Sequence, residues 1–293
     1  MKSAIEWDSS EKQQVVDFLI HVFENHEFVS VESINEIFYQ SVYLGGETYM
    51  ASFRDGQAIA VAAMIVEAIE RDSIVYFSTC YCLEGQEDYL EKMIESLEKK
   101  AKIWGATISK IGLRKENNSL KDRLLPSLAY SPTYRIVQMG KEVQGEVRLP
   151  EGFSDQIVGL DFLEKYVDLH NEAFLKTPNS GELSLGEVQE LLERQEQGQA
   201  RLGFLVHRGE FVGTYLLSME KEVLWADAIT INPRYQGQGW GKILMQNIEN
   251  QAASMAKSLH LLVVDANATA FHLYQRSEFL EEKVYSEWFE KSL

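Results

Sequence analysis

The stretch Asn232-Pro233-Arg234-Tyr235-Gln236-Gly237-Gln238-Gly239-Trp240-Gly241-Lys242 decides how this chain of 293 residues is read. Before it, residues 223–231 are apolar and β-branched between turn residues, the pattern of a strand. After it, Ile243, Leu244, Ile248, Ala252, Met255 and Ala256 recur at helical spacing, so a helix opens inside the glycine run. Three glycines at alternate positions let the backbone turn tightly and admit a ligand where Cβ atoms would stand. The first amides of the new helix lack intrahelical acceptors, and with the helix dipole they make an anion site suited to a pyrophosphate.

Spacing narrows the choice of pyrophosphate. A dinucleotide fingerprint, Gly-x-Gly-x-x-Gly, would need glycine where Lys242 or Leu244 stands, although Asp265 follows at about the right interval for its acidic residue. A Walker loop would need glycine at Gln236 and a hydroxyl at Ile243. The pattern that is met is Gln236-x-x-Gly239-x-Gly241, preceded by Ile231-x-Pro233. It resembles the acetyl-CoA loop of the GNAT superfamily of N-acetyltransferases. A second patch, Asn267-x-x-Ala270-x-x-Leu273-Tyr274 followed by Phe279, is similar to that family's fourth-helix motif and stands in the right order.

Length favours two domains, and an apolar fraction of 45% with 25% charged residues is that of a globular protein. The formal charge of −17 is spread over both halves, and such a field repels nucleic acid and anionic membranes while favouring cationic small substrates or simply solubility. Cys80-Tyr81-Cys82 is read as two small apolar residues on one strand face, and the six histidines show no ligand spacing, so no metal is expected. No leader is expected ahead of the first apolar helix, and no apolar run reaches the roughly 18 residues of a membrane span; the expected compartment is cytoplasmic.

Taken in order, the chain shows helices at residues 12–24 and 31–39, a hairpin about Asp55-Gly56, a strand at 73–82, a helix at 89–104, a strand at 108–113, a short helix at 119–128 and a strand at 134–139. A linker at 144–155 precedes a second pass: a helix at 160–174, another opened by the capping box Ser184-x-x-Glu187, and a hairpin about Arg208-Gly209. Gly56 and Gly209, Asn118 and Asn267, Tyr130 and Phe279 occupy matching places. The fold class expected is α/β (α+β), with two tandem GNAT-like domains, each a mixed, mostly antiparallel sheet flanked by helices. The arrangement resembles two-GNAT-domain proteins such as mycothiol synthases. Residues 1–146 are read as a degenerate copy, because Cys82-Leu83-Glu84-Gly85-Gln86-Glu87-Asp88 replaces the glycine loop with carboxylates and Leu125 stands where the other copy has Tyr274. Residues 147–293 are read as the catalytic domain.

The resemblance implies an acetyl-CoA-dependent transfer to a primary amine, most simply that of a small molecule, within a ternary complex. The alternative from the residues alone is an acyl-CoA-binding module without turnover. The implied cofactor-binding residues are Ile229, Thr230 and Ile231, through backbone groups, then Gln236, Gly237, Gln238, Gly239, Trp240, Gly241 and Lys242, with Asn267, which also fits a helix N-cap. Tyr274 matches the tyrosine that protonates the departing thiolate, or is a packed amphipathic tyrosine. The family's glutamate before the loop is replaced by Trp225, which leaves Asp227 as general base or as a solvated carboxylate. Glu172 is a substrate-binding candidate or a plain helix-face residue. Ser277-Glu278-Phe279 lacks the family's glycine, which implies a different turn.

Overall fold

The computed structural model describes residues 1–23, 37–114, 120–145, 147–174, 182–220 and 223–293; most of the helix expected at 31–39, and Asn118, lie outside them. Contacts gather the chain into two compact units, Met1–Ile136 with Val284–Leu293, and Val137–Lys283.

The first unit holds β1 (Lys2–Ser3), α1 (Ser9–Phe23), β2 (Tyr49–Arg54), β3 (Gln57–Ile65), β4 (Ile74–Cys82), α2 (Glu87–Ile103), β5 (Ile108–Leu113) and the start of β6 (Ser131–Glu142). Its sheet runs β1-β2-β3-β4-β5 and is completed by β12 (Leu280–Ser292); β4 and β5 are parallel and the other pairings antiparallel. The apolar run of β3 is continuous because both faces are covered. Ala60, Ala62 and Met64 enter a core with Leu90, Met93, Ile94 and Leu97 of α2, while Ala58, Val61 and Ala63 meet Val15, Val16 and Leu19 of α1. Cys80 and Cys82 join the α2 core, where burial pushes the Cys82 thiol up to about 12.

The second unit repeats this order with β7 (Phe153–Ile157), α3 (Leu163–Phe174), α4 (Leu185–Glu196), β8 (Ala200–His207), β9 (Glu210–Glu220), β10 (Val223–Ile231), α5 (Trp240–Ala252), β11 (Ser258–Val264) and α6 (Ala268–Arg276). Strands β7 to β10 are antiparallel in sequence order, β10 and β11 are parallel, and β6 lies beyond β11. One face packs on α3 and α4, the other on α5 and α6.

The copies agree down to single dihedral angles. Asp55-Gly56 and Arg208-Gly209 both have two positive φ values, as a two-residue hairpin turn of the right twist requires. Ala129 (φ 63) precedes Tyr130 as Glu278 (φ 68) precedes Phe279. The expected change of turn at Ser277-Glu278 is therefore corrected: a side chain accepts the left-handed corner, at a cost of about 1–2 kcal/mol.

The last strands are exchanged between copies. Strand β12, which follows the second copy, pairs with β5 through Trp288 and Gly112 and Phe289 and Ile111, and β6, which follows the first, completes the second unit from Val137 onward. Contacts thus change from one unit to the other inside β6, ahead of the linker at 144–155. A buried charge holds β12 in place. Glu98, 6% exposed, accepts from Tyr130 Oη at 2.6 Å and pairs with Lys291 Nζ of β12 at 2.7 Å, and Lys291 also donates to the Leu128 carbonyl. Replacing Lys291 with Met would leave the Glu98 carboxylate buried and unpaired. A loss of about 3–5 kcal/mol in urea unfolding of the Lys291→Met variant is expected, partly restored by adding Glu98→Gln.

Candidate active site

Eight residues, Asn232–Gly239, separate β10 from α5. Asn232 fixes the exit, its N–H donating to the Val212 carbonyl at 3.0 Å and its Oδ1 accepting from Arg234 N–H at 3.0 Å. Gln236 Nε2 closes the loop onto the Ile231 carbonyl at 3.0 Å. Gly237 (φ 76) and Gly239 (φ 79) are left-handed, and a Cβ on either would meet nothing within 4 Å, so the space over them is open. Gly241 differs. It lies within α5, and a Cβ there would come 3.0 Å from Leu273 Cδ2 of α6, so its smallness serves helix packing. No side chain caps α5, whose first-turn amides are left for an incoming anion beside the exposed Lys242 and Gln238. Trp240 anchors the helix start, stacked on Tyr235 at 5.2 Å and edge-on to Phe153 at 5.4 Å.

The strand ahead of the loop has a free edge. Its ladder to β11 consists of Leu224 with Leu259 and Trp225 with His260 and then ends, while its other edge stays paired with β9 as far as Ile231 and Gly213. From Ala226 to Ile231 the β11-facing backbone groups are therefore outside any ladder, next to the open loop. Thr230 is turned inward, its Oγ1 bonded to Thr214 Oγ1 at 2.6 Å, and Ile229 and Ile231 are half-buried against the α5 core.

A β-bulge coincides with that release. Ala226 pairs with Leu217 and Ala228 with Leu216, so Asp227 is the extra residue. It meets solvent, yet protein crowds the carboxyl, and burial pushes its pKa up to about 6; Glu220 adds to the rise while Ser218 and Arg194 oppose it. Ser218, the cross-strand partner of Trp225, donates its hydroxyl to Asp227 Oδ2. Ser218 was not legible beforehand, because a hairpin register and not a motif brings it there. Tyr274 is 8% exposed on α6, and burial pushes its phenol up to about 12; among the described residues its hydroxyl has no hydrogen-bond partner. Asn267 caps α6, its Oδ1 accepting from Ala270 N–H at 3.2 Å. Glu172 is exposed on α3, whose Tyr166, His170 and Phe174 form an aromatic row.

The first copy lacks this equipment. Its loop has four residues, Leu83–Gln86, and Glu87 and Asp88 occupy the first turn of α2. Its nine-residue β4 bulges at the same fifth place, where Ser78 replaces Asp227, and register puts Ile65 where the second copy has Ser218.

Residues 163–279 match the model of the acetyltransferase (GNAT) family. Over this segment the chain is similar to that family, whose members use acetyl-CoA and acylate amines. No curated protein matches the chain. Among solved structures it is similar to a GCN5-related N-acetyltransferase from Sphaerobacter thermophilus, at 17% identity and a TM-score of 0.70 over 97% of this chain and 93% of the other. It is also similar to a tandem GNAT protein from the clavulanic acid biosynthesis pathway, at 9% identity and 0.65 over 97% and 95%. A glucosamine N-acetyltransferase region of a fungal multi-domain GH3 β-N-acetylglucosaminidase matches at 11% identity and 0.71, over 98% of this chain and 37% of that one. At these identities the structures share the fold.

Carbon-13 NMR of the Asp227 carboxyl should show a midpoint near 6. In Ser218→Ala the midpoint should move upward, since that hydroxyl stabilises the charged form; an unchanged midpoint would mean the bond contributes nothing.

Proposed function

We propose that the second unit moves an acetyl group from acetyl-CoA to a primary amine, by direct transfer, and that the acceptor is a small molecule. The observation that carries this reading is the junction of two open elements: a strand edge freed from Ala226 onward runs straight into an uncapped helix behind two glycines with vacant space above them. A pantetheine arm needs the first and a pyrophosphate the second. Loop residues Gln236 to Gly239, with Trp240, Gly241 and Lys242, would hold the pyrophosphate, and the backbone of Ile229, Thr230 and Ile231 the arm, with Asn267 beside it.

Acetyl-CoA supplies the activated acyl carbon. Asp227, with a pKa near 6, is charged at neutral pH and basic enough to take the ammonium proton, so the free amine can form its bond to that carbon. Ser218 holds Oδ2 and leaves Oδ1 for the proton. Tyr274 stays protonated throughout the physiological range, and donates its proton as the carbon–sulfur bond breaks. The carboxylates near the bulge, Asp227 and Glu220, and the formal charge of −17 favour a cationic acceptor, for which Glu172 is a further contact. Residues 1–146 act as a degenerate copy and residues 147–293 as the catalytic one, since only the latter has the loop, the bulge carboxylate and the tyrosine.

Calorimetric titration should show acetyl-CoA binding at one site per chain, lost in Gly239→Glu, whose carboxylate would stand at the helix start. No binding to the wild type would overturn the reading. With an accepted amine, Tyr274→Phe should keep acetyl-CoA affinity and lose about 10²-fold in kcat. The acid limb of kcat/KM should fall near pH 6, the rate dropping below it as Asp227 takes up a proton, and Asp227→Asn should remove that limb along with most of the rate.

A further inference from the structure

We infer that Ser258, His260 and Glu282, all in the second unit, form a nucleophilic relay that hydrolyses small carboxylic esters without acetyl-CoA. Strand alternation supplies the first two members. On β11, Leu259, Leu261 and Val263 enter the core with α5 and α6, so Ser258 and His260 turn together to the opposite face. There Ser258 Oγ lies 3.3 Å from His260 Nε2. The third member comes from a distant segment, since Glu282 on β12 brings Oε2 within 3.1 Å of His260 Nδ1.

The carboxylate fixes the direction of this chain of bonds. An ionised carboxylate only accepts, so the neutral imidazole carries its proton on Nδ1 and donates it to Glu282. Nε2 is then the bare nitrogen, and the Ser258 hydroxyl donates to it. Nucleophile, base and orienting carboxylate therefore stand in the order that serine hydrolysis requires. Neighbouring strands hold them there. Val137 and Met139 of β6 enter the α5 core, which turns Gln138 and Gly140 to the relay's face, and Gln138 Nε2 donates to Glu282 Oε2 at 2.7 Å. Gly140 makes the room. A Cβ at that position would collide with Glu282 Oε1 and come within 2.9 Å of His260 Nδ1, so a side chain there would push the pair apart. The Trp225 ring flanks the imidazole at 5.6 Å. His260 keeps 17% of its side-chain surface exposed and Ser258 is half-buried, so the hydroxyl is sheltered yet within reach of a small ligand.

The chemistry closes with water as the only co-reactant. Ser258 Oγ bonds to the ester carbonyl carbon as its proton passes to His260 Nε2, and the imidazolium is steadied by Glu282 at Nδ1. The carbon–oxygen bond to the alcohol then breaks, and the alcohol leaves with the proton from Nε2. Water attacks the acyl-serine, gives a proton to Nε2 and releases the carboxylic acid, while Ser258 Oγ takes that proton back. No step draws on the glycine loop, Asp227 or Tyr274.

The full chain, free of acetyl-CoA, is given p-nitrophenyl acetate at neutral pH and nitrophenolate release is followed. In parallel it is treated with a fluorophosphonate, which an activated serine captures, and the labelled peptide is found by mass spectrometry. Ser258 should be labelled ahead of every other serine, and labelling should stop the release. Ser258→Ala should abolish both signals, and His260→Gln should slow release about 10²-fold, as loss of a general base does. Glu282→Gln, which frees the imidazole to turn, should slow it about tenfold or more. Circular dichroism checks that each variant is folded, and the labelling of the unaltered chain stands whatever the variants do. The inference is overturned if the fluorophosphonate misses Ser258, or if release survives Ser258→Ala undiminished. Failure of acetyl-CoA to bind would strike the proposed transfer reaction and leave this relay standing.

Discussion

The site depends on where one strand stops pairing. Up to Trp225, β10 is an interior strand with neighbours on both sides; two residues later the bulge at Asp227 redirects it, and the ladder to β11 is over. An extra residue in one strand bends it and sharpens its twist, so it cannot stay in register with a straight parallel neighbour. Pairing on the β9 side persists to Ile231, which keeps the freed edge straight and delivers the chain to the glycine loop in a fixed direction. Unpaired backbone groups at a strand edge are a liability unless something else pairs with them. Here the edge ends at a helix start that is itself short of acceptors, and the two deficits make one elongated site.

The two copies show what the architecture keeps and what it lets drift. Both retain the hairpin turns, the nine-residue strand with its bulge at the fifth place and the left-handed corner before an aromatic residue, because these decide whether the sheet closes on its helices. The chemistry-bearing positions do not survive in the first copy. Ser78, Ile65 and a four-residue acidic loop stand where the second has Asp227, Ser218 and eight residues with two open glycines. Losing Asp227 and the loop leaves the core untouched, since both meet solvent, whereas Ser218 is buried. What the first unit gains is a strand. Its β5 edge is covered by β12, pinned through the buried Lys291–Glu98 pair.

Much of this was written in local sequence. Asp-Gly and Arg-Gly turns, the capping box at Ser184 and Glu187 and the strand–glycine–helix order all rest on interactions within a few residues, and each is present in the structure. The corner at Glu278 keeps its left-handed form without a glycine. Glycine is the easiest residue in a left-handed corner, though other residues are tolerated where flanking packing, here Tyr274 and Phe279, fixes the corner. Gly241 belongs to the glycine motif by spacing, and its missing Cβ also makes room for Leu273.

The sequence by itself determined the kinds of element, their order, the twofold repetition and the glycine loop, since propensity, periodicity and turn chemistry are properties of neighbouring residues. Only the tertiary structure decided which strand lies beside which. A strand's side chains state which face is apolar and say nothing about the partner, so the exchange of β6 and β12 has no local signature. The same holds for the hydroxyl of Ser218 on Asp227 and for the Asn247 amide on Asp155. These arise where distant segments meet, and the pKa near 6 at Asp227 is set by burial that exists only once the sheet and helices have closed around it.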